Sequence, residues 1–393
     1  MRKVVEGSVA IAEAIKAVRA QVIAAYPITP QTHIVQELSE LVANGELNAE
    51  FVRVESEHSA ASAVLGASAV GARAYTASSS QGIMLMAEVL FNIAGMRFPV
   101  VMTTANRALS APINIWNDQQ DSYSVRDAGW IQLYAEDNQE AVDLHIQAYR
   151  IAEDLRVQLP VMVCMDGFVL THSYEPVDIP EVEQVDRFLP PYRPTRTLDP
   201  TAPRTFGTYA EEGYTETRYA IVQAMNRAKG VIEEVAAEYE HAFGRYSGGL
   251  IQGYRLEDAE MVLMATGSIM GLLKSVADDL RAEGRKVGAL KLVSYRPFPT
   301  EALAKALAGA KKVAVFEKAI SLGGTGILAA DLRSALHGYA GSAEVSSFIV
   351  GLGGKDITPD TIRKAVEMAE AGYVDSHFME LDEEFLREAA AVY

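Results

Sequence analysis

The stretch ARAYTASSSQGIMLMAEVLFNIAGMRFPVVMTTA, residues 72–105, carries the pattern that decides the fold. It predicts a strand over ARAYTASS, a helix over QGIMLMAEVLFNIAG and a second strand over PVVMTTA, because short apolar runs flank an apolar segment of helical length. Two strands joined through a helix pair in parallel with a right-handed crossover. The stretch therefore predicts an α/β fold with a parallel sheet covered by helices on both faces.

The same alternation extends through residues 1–180. We expect the helix over residues 32–45 to end at Gly45, because glycine is favoured just after a helix. The predicted elements around the opening stretch are a helix over VAIAEAIKAVRA, a strand over QVIAAYPI, a helix over THIVQELSELVANG, a strand over FVRVES, a helix over EHSAASAVLGASAVGA, a helix near NQEAVDLHIQAYRIAEDL and a strand over PVMVCMDG.

Residues 173–209 are rich in proline and lack apolar periodicity, which predicts an extended connector over the surface. One long helix is predicted from Tyr214, and a second α/β domain from near Asp258. The pattern therefore predicts a first domain over 1–180, a connector with a long helix over 181–257, and a second domain over 258–393. The strands predicted in the second domain are AEMVLMATGS, KVGALKLVSYRPFP, KKVAVFEKA and a last strand VSSFIVGLGG, and the helices are IMGLLKSVADDLRAEG, EALAKALAGA and SLGGTGILAADLRSAL.

Charge and hydropathy exclude two classes of partner. The 393 residues carry a net charge of −17 with no basic stripe, so we expect no nucleic-acid partner, which would need clustered lysine and arginine. The longest apolar runs are far shorter than a membrane span. The N-terminal segment lacks a signal-peptide pattern, so we expect a cytoplasmic protein.

The chain has one cysteine, Cys164, in the apolar run LPVMVCMDG, which predicts a buried, inert thiol. One thiol cannot form an intrachain disulfide, a four-cysteine zinc site or an iron–sulfur cluster. Any redox metal must therefore lie on another chain. The glycine run GGTG (323–326) lacks the spacing of a phosphate-binding loop, which favours a tight turn into a helix. The similar run GLGG (351–354) favours a turn or a subunit contact.

Two polar segments follow predicted strands, where open α/β sheets bind ligands. In TASSSQG, residues 76–82, the serines either bind a ligand at a helix N-terminus or simply cap the helix through Ser79 or Ser80. In VESEHSAASA, Glu55 and Glu57 place at least one carboxylate near the sheet edge. The alternative is a helix capped by Ser56 with acidic residues in its first turn.

Two further loops belong to the same predicted edge. RALSAPINIWNDQQD, residues 107–121, has no secondary-structure period, and Arg107 suits either a bound carboxylate or a surface salt bridge. In AYPITPQT, residues 25–32, two prolines stiffen a strand exit that carries a hydroxyl, Thr29, at its tip. A turn of this kind loses little conformational entropy when it binds a ligand.

Four segments of the chain, taken in order, resemble the 2-oxoacid:ferredoxin oxidoreductases, most of all the α subunits of the multi-subunit enzymes that act on pyruvate. The segments are AYPITPQT, ESEHSAASAVLGASAVGARAYTASSSQG, TANRALSAPINIWNDQQD and CMDGF. SYRPFP (294–299) and GLGGKDITPD (351–360) extend the resemblance over the whole chain. It implies a pyrimidine-binding domain of the thiamine-diphosphate type, built on a parallel sheet, followed by a transketolase-C-terminal-like α/β domain.

The resemblance also implies roles for individual residues. Glu57 would hydrogen-bond the N1′ atom of the aminopyrimidine of thiamine diphosphate and favour its imino tautomer. Thr29 would face the reacting oxoacid, and Arg107 would hold the substrate carboxylate, so that the three residues form the catalytic set. The residues implied to line the cofactor beside Glu57 are Tyr26, Pro27, Ser79 and Ser80.

By the same resemblance the chain is one subunit of a complex with β, γ and δ subunits. Thiamine diphosphate would be shared with β, while Mg²⁺ and 4Fe–4S clusters would lie on partner subunits, and pyruvate, coenzyme A and ferredoxin would be the reactants. The alternatives are an α subunit acting on 2-oxoisovalerate or 2-oxoglutarate, or a non-catalytic structural subunit. Because the 2-oxoglutarate enzymes often carry the γ part ahead of this region, and Met1 here begins the domain, we expect pyruvate or 2-oxoisovalerate.

Overall fold

The computed structural model describes residues 2–207, 211–339 and 341–390. Within these ranges the strands form a seven-stranded sheet, a six-stranded sheet and a two-stranded ribbon. Both large sheets are parallel except for one antiparallel edge strand each. The predicted α/β fold class is confirmed.

The seven-stranded sheet is built almost entirely from the first half of the chain. Its antiparallel edge strand is the exception, since it comes from residues 294–296. In order across the sheet, the strands are β12 (Ser294–Arg296), β6 (Ile131–Tyr134), β7 (Val161–Asp166), β5 (Val101–Asn106), β4 (Ala74–Ser78), β2 (Val22–Ala24) and β3 (Glu50–Val52).

Helices surround this sheet and supply most of its core. The apolar residues of α1 and α6 pack together with the strand residues Ile23, Tyr75 and Val163 in one buried cluster. The helices of this half are α1 (Gly7–Ala17), α2 (Thr32–Ala43), α3 (Glu57–Ala69), α4 (Ser80–Gly95), α5 (Gln120–Ser124), α6 (Asn138–Ala152), α7 (Val182–Phe188) and α8 (Tyr214–Phe243).

The six-stranded sheet forms the core of the second half. Its strands, in order, are β15 (His377–Phe378), β14 (Glu344–Ile349), β13 (Lys312–Glu317), β10 (Met261–Ala265), β11 (Val287–Leu292) and the antiparallel β9 (Ile251–Tyr254). Its helices are α9 (Ile269–Ala282), α10 (Thr300–Ala306), α11 (Ile327–Leu336), α12 (Pro359–Ala371) and α13 (Glu383–Ala390), and a 3-10 turn covers Leu352–Gly354.

The segment predicted as an extended connector, residues 173–209, contains regular elements that the pattern did not indicate. Its first part forms β8 (Tyr174–Asp178), which pairs antiparallel with β1 (Arg2–Glu6), and its middle forms α7. The short strand tolerates Pro176 because a two-stranded ribbon leaves one edge without ladder bonds. Residues 208 and 209 lie outside the described part of the chain.

Other elements also differ from the prediction. KVGALKLVSYRPFP is not one strand, because β11 and β12 belong to different sheets. The sequence pattern missed β6, whose four buried residues include the polar Gln132. VSSFIVGLGG is not the last strand, since β15 follows it. The predicted long helix from Tyr214 is confirmed, and Gly45 lies one residue beyond the last turn of α2 with a φ of 75°.

Among the described residues, none of the helices combines the length and apolar character that a membrane crossing requires.

Candidate functional site

The strands β2, β3, β4, β5 and β7 run parallel, so the segments that follow them meet at one edge of the sheet. These segments contain every residue that the sequence analysis singled out as a site residue. Ligands bind at the carboxyl edge of open α/β sheets because loops and helix N-termini converge there.

The strand-exit turn after β2, residues 26–30, is held against β4 by the side chain of Gln31. The buried Gln31 side chain donates from Nε2 to Ala77 O of β4 at 2.7 Å and accepts from the Ile28 amide at 3.2 Å. Tyr26, with 38% of its surface exposed, Pro27 and Thr29 remain accessible on the outer side of the turn. Gln31 therefore fixes the turn, while Thr29 stays accessible to a ligand. The role of Gln31 was not predicted from the sequence.

Glu57 is the first residue of α3, which Ser56 caps by accepting a hydrogen bond from the Ser59 amide at 3.2 Å. The capping alternative is thus correct, yet Glu57 is only 6% exposed. None of the hydrogen bonds and ion pairs found among the described residues involves its carboxylate. A buried carboxylate is costly without a partner, so this group is suited to receive one from a ligand.

Glu55, two residues earlier, differs from Glu57 in its exposure and in its hydrogen bonding. It is exposed and accepts a hydrogen bond from Ser59 Oγ at 2.5 Å. That hydrogen bond lowers the pKa of Glu55 below its ordinary value. The structure therefore separates the two acids that the sequence could not, and only Glu57 is buried and available.

The surroundings of Glu57 leave no room for a larger residue on α4. A Cβ atom placed on Gly82 would lie 2.7 Å from Glu57 Oε1 and would collide with Ser78 Oγ. Ser78 Oγ is itself buried without a hydrogen-bond partner among the described residues. A close approach of this kind is a characteristic use of glycine. Ser78 is a further polar group at this position that sequence reasoning missed.

Ser79 and Ser80 face inward. Ser79 occupies the N-cap position of α4, but its hydroxyl donates to Ala105 O at 2.6 Å instead of capping the helix. Ser80 Oγ lies 2.5 Å from Ala108 O. Both side chains are fully buried, and they tie the junction of β4 and α4 to β5 and to the segment that follows it. Their predicted contact with a cofactor stays a prediction.

Arg107, at the end of β5, is brought together with the strand-exit turn. Its Nη1 donates to Thr29 O at 2.9 Å and its Nε to Asn114 O at 2.9 Å. Burial lowers the pKa of this guanidinium, which is 8% exposed. Nη2 has no hydrogen-bond partner among the described residues. The surface salt-bridge alternative does not hold, since no ion pair among those residues includes Arg107.

Asp121 organises this edge and was not recognised from the sequence. It accepts from the amides of Ser80 at 2.9 Å and Arg107 at 3.0 Å, and from Asn106 Nδ2 at 2.8 Å. Complete burial raises its pKa to about 7, against the opposing effect of these donors. A single buried carboxyl group therefore connects the segments after β4 and β5.

The loop of residues 107–121 is also anchored to the second half of the chain. Asn114 Nδ2 donates to Gly353 O at 3.0 Å, and the Gly354 amide donates to Asn117 O at 2.7 Å. Gly353 has a φ of 58°, a conformation that glycine adopts without strain. The GLGG run therefore forms a turn, one of its two predicted roles, and this turn also holds the loop, which was not predicted.

A buried ion pair lies beneath the same loop. Lys318 Nζ, from the segment after β13, donates to Asp166 Oδ2 at 2.8 Å and to Asn117 Oδ1 at 3.0 Å. Asp166 is the last residue of β7. Burial would raise its pKa, but the Lys318 charge and several hydrogen bonds outweigh that effect and hold the pKa below its ordinary value.

The GGTG run is a turn and not a phosphate cradle. The helix N-terminus that follows it is occupied by a carboxylate of the chain itself, since the buried Glu317 accepts from the amides of Leu328 at 2.6 Å and Ala329 at 3.2 Å. Burial raises the pKa of Glu317 to about 7. Cys164 is fully buried, and burial raises the pKa of its thiol, as expected for an inert group.

Comparison with known protein families identifies the fold around this edge. Residues 13–237 match the family described as "Pyruvate flavodoxin/ferredoxin oxidoreductase, thiamine diP-bdg". The chain belongs to this family. The oxidoreductase family resemblance found in the sequence is thereby confirmed, and residues 259–362 match "Pyruvate:ferredoxin oxidoreductase core domain II".

Relatives within this oxidoreductase family cover nearly the whole chain. The "Pyruvate synthase subunit PorA" of Methanosarcina barkeri is 53% identical over 391 residues, which span 98% of this chain and 97% of the relative. The subunit of the same name from Methanocaldococcus jannaschii is 52% identical, over 95% and 96% of the two chains. The "Ketoisovalerate oxidoreductase subunit VorA" of Pyrococcus horikoshii is 44% identical, over 95% and 96%.

A solved structure shares the family's architecture. The 2-oxoglutarate:ferredoxin oxidoreductase from Magnetococcus marinus, with 2-oxoglutarate, coenzyme A and succinyl-CoA bound, superposes with a TM-score of 0.72 at 20% identity. The superposition covers 93% of this chain and 65% of that one. At this identity the likeness establishes the fold.

Proposed function

We propose that this chain is the α subunit of a pyruvate:ferredoxin oxidoreductase, also called pyruvate synthase. The complex oxidatively decarboxylates pyruvate to acetyl-coenzyme A and carbon dioxide and reduces ferredoxin, in a reversible reaction. The observation that carries the proposal is the 53% identity with a pyruvate synthase subunit over nearly the full length of both chains.

Thiamine diphosphate is the cofactor that the site would share with a partner subunit. When bound, it supplies the stabilisation of negative charge that decarboxylation of a 2-oxoacid requires. The fit rests on Glu57, a buried carboxylate with no partner among the described side chains, at a sheet edge that also holds the unpaired Ser78 hydroxyl. A ring nitrogen able to share a proton would satisfy this carboxylate.

Glu57 would hold the proton shared with N1′ of the aminopyrimidine. Burial strengthens such a hydrogen bond, because the low dielectric of the protein interior screens charges less than water does. The start of α3 adds a favourable field, since helix N-termini stabilise negative charge. Tyr26 and Pro27 would lie against the cofactor from the exposed side of the strand-exit turn. Ser79 and Ser80 would act beneath it through the hydrogen bonds described above.

Arg107 and Thr29 would hold the oxoacid. The guanidinium is fixed by two backbone carbonyls and keeps Nη2 for a substrate carboxylate. Thr29 is exposed on a turn held by Gln31, so its hydroxyl can approach the reacting carbonyl without reorganising the backbone. A preorganised donor of this kind stabilises charge as it develops.

The remaining groups of the reaction would belong to partner subunits. We propose β, γ and δ subunits that carry Mg²⁺ and 4Fe–4S clusters, with ferredoxin as the electron acceptor and coenzyme A as the acetyl acceptor. The single cysteine of this chain supports the placement of the clusters elsewhere, because a 4Fe–4S cluster needs four thiolates. The proposed setting is the cytoplasm.

The substrate assignment is tested with the complete complex and a panel of oxoacids. We expect the highest kcat/KM for pyruvate, measured as coenzyme A-dependent reduction of a viologen dye. A higher kcat/KM for 2-oxoisovalerate or 2-oxoglutarate would assign the chain to a sibling enzyme. A complex that keeps full activity without this chain would make it a structural subunit.

Changes at Arg107 and Thr29 should separate binding from turnover. Arg107→Lys keeps the charge but loses the fork, so the KM for pyruvate should rise about 10-fold or more, with a smaller fall in kcat. Thr29→Val removes a donor that strengthens in the transition state, so kcat and kcat/KM should both fall. Steady-state kinetics with varied pyruvate provide the measurement.

The matched control is Arg126→Lys, since Arg126 lies near this loop but bonds the Tyr123 carbonyl. The KM for coenzyme A should stay nearly constant in all three variants. Normal saturation by pyruvate together with a raised KM for coenzyme A would show that Thr29 and Arg107 contact the other substrate.

A further inference from the structure

Three side chains able to bind a metal meet at residues to which the proposed function assigns no role. They are Glu6, His33 and His172, and one ligand atom from each lies within 4.8 Å of the other two. No other group of three or more potential metal ligands with this spacing was found in the described parts of the chain.

Rigid elements position these three groups. Glu6 ends β1, and His172 lies just before β8, which pairs with β1 so that Glu6 stands opposite Tyr174. His33 lies in the first turn of α2. Two of the ligands therefore come from a strand and a helix, which hold side chains firmly. His172 comes from the turn that leads into β8.

The hydrogen bonds around the cluster suit metal binding. His33 Nδ1 lies 2.6 Å from Glu6 Oε1, and the rings of His33 and His172 have centroids 4.6 Å apart. Thr171 Oγ1 lies 2.8 Å from His172 Nδ1, which orients the ring and leaves Nε2 without a hydrogen-bond partner among the described residues. A polar partner on the second ring nitrogen is the usual arrangement of a metal-binding histidine.

We propose that Glu6, His33 and His172 form a binding site for a divalent transition metal of the zinc type, with water as a fourth ligand. Two imidazoles and one carboxylate are a ligand set that zinc accepts, whereas magnesium and calcium prefer oxygen ligands. The exposed side of His33, whose side chain is 48% accessible, leaves space for the water.

The ligand atoms must shift to close around the ion, since they now lie within 4.8 Å of one another and some pairs would have to draw closer. Zinc bonds of about 2.0–2.2 Å place neighbouring tetrahedral ligands about 3.3 Å apart. His33 Nδ1 and Glu6 Oε1 would therefore separate by roughly 0.7 Å from their present hydrogen bond. Because α2 directly follows the strand-exit turn, the bound ion would fasten that turn to the β1–β8 ribbon.

The test is a calorimetric titration of Zn²⁺ into the full-length chain after treatment with a chelator. We expect one zinc ion per chain in the wild type, and a Kd raised at least about tenfold in His33→Gln and in His172→Gln. His241→Ala, which removes an exposed histidine outside the cluster, is the matched control and should leave the Kd unchanged.

Co²⁺ gives a second readout that does not depend on affinity. Tetrahedral cobalt in the wild type should absorb visible light strongly, and His33→Gln should lose this absorption. Because His33 is exposed, His33→Gln should melt at the wild-type temperature in the absence of metal. It therefore still tests the metal site if His172→Gln fails to fold. Equal zinc binding by wild type and His33→Gln, or no stoichiometric binding by wild type, would overturn the proposal.

Discussion

Replacing Glu57 by glutamine should lower pyruvate turnover of the assembled complex by about 10²–10⁴-fold, the usual contribution of a positioned acid or base. The amide keeps the shape of the side chain but cannot share a proton with the cofactor. Neither nearby carboxylate is free to replace it. Glu55 is exposed and engaged with Ser59, and the buried Asp121 is engaged with the amides of Ser80 and Arg107. The complex should still assemble, so size-exclusion chromatography accompanies the dye-reduction assay.

Glu55→Gln is the matched control, since it makes the same change two residues away. We expect it to retain nearly the wild-type rate, because it removes only an exposed hydrogen bond. If Glu55→Gln were inactive and Glu57→Gln fully active, the functional acid would be the exposed one, and the role given to burial would be wrong.

Lys318→Met should destabilise the chain by about 3–5 kcal/mol, the cost of leaving a buried charge without its partner. Asp166 is 1% exposed at its side chain and depends on Lys318 as its only cationic partner among the described residues. Methionine fills a similar volume, so the loss is electrostatic. Urea unfolding followed by the fluorescence of Trp116 and Trp130 provides the measurement.

The comparison variant is Lys311→Met, which breaks a surface ion pair with Glu260 whose side chains are 71% and 44% exposed. Such pairs contribute up to about 1 kcal/mol, so Lys311→Met should unfold close to the wild type. Equal midpoints for the two variants would show that the buried pair contributes no more to stability than the surface pair does.

The stability difference between Lys318→Met and the wild type should also depend on pH. The pKa of Asp166 is lowered in the folded chain, so its stabilising contribution is present above the ordinary aspartate pKa and is lost as the pH falls through the lowered value. Without Lys318 the carboxylate can be neutralised by a proton instead. The deficit of Lys318→Met relative to wild type should therefore shrink as the pH falls from about 7 towards about 4.

Local patterns were sufficient to predict the parallel sheets and the edge at which the site lies. The strand–helix alternation around residues 72–105 fixes the direction of the strands, and the direction fixes which loops meet. Glu57, Arg107 and Thr29 could be placed at one edge for that reason. The local pattern could not choose between Glu55 and Glu57, because the choice depends on how deeply each carboxylate is buried. Only the family resemblance pointed to Glu57.

Long-range contacts account for what the sequence pattern missed. Asp121 lies at the start of the short helix α5, in a stretch whose sequence has no periodicity. Its role becomes visible only when Ser80 and Arg107 are brought to it. Gln31 follows a turn and carries no signal that it reaches β4. The strand β12 was merged with β11 because one continuous apolar run contributes to two different sheets.

The central claim, that this chain supplies one half of a shared thiamine diphosphate site, is tested most directly by calorimetric titration of thiamine diphosphate. The isolated chain should be colourless and bind the cofactor no tighter than the millimolar range, whereas the complex assembled with its partners should bind it tightly and reduce dye with pyruvate. Micromolar affinity in the isolated chain, or stoichiometric iron bound to it, would contradict this division of the site between subunits.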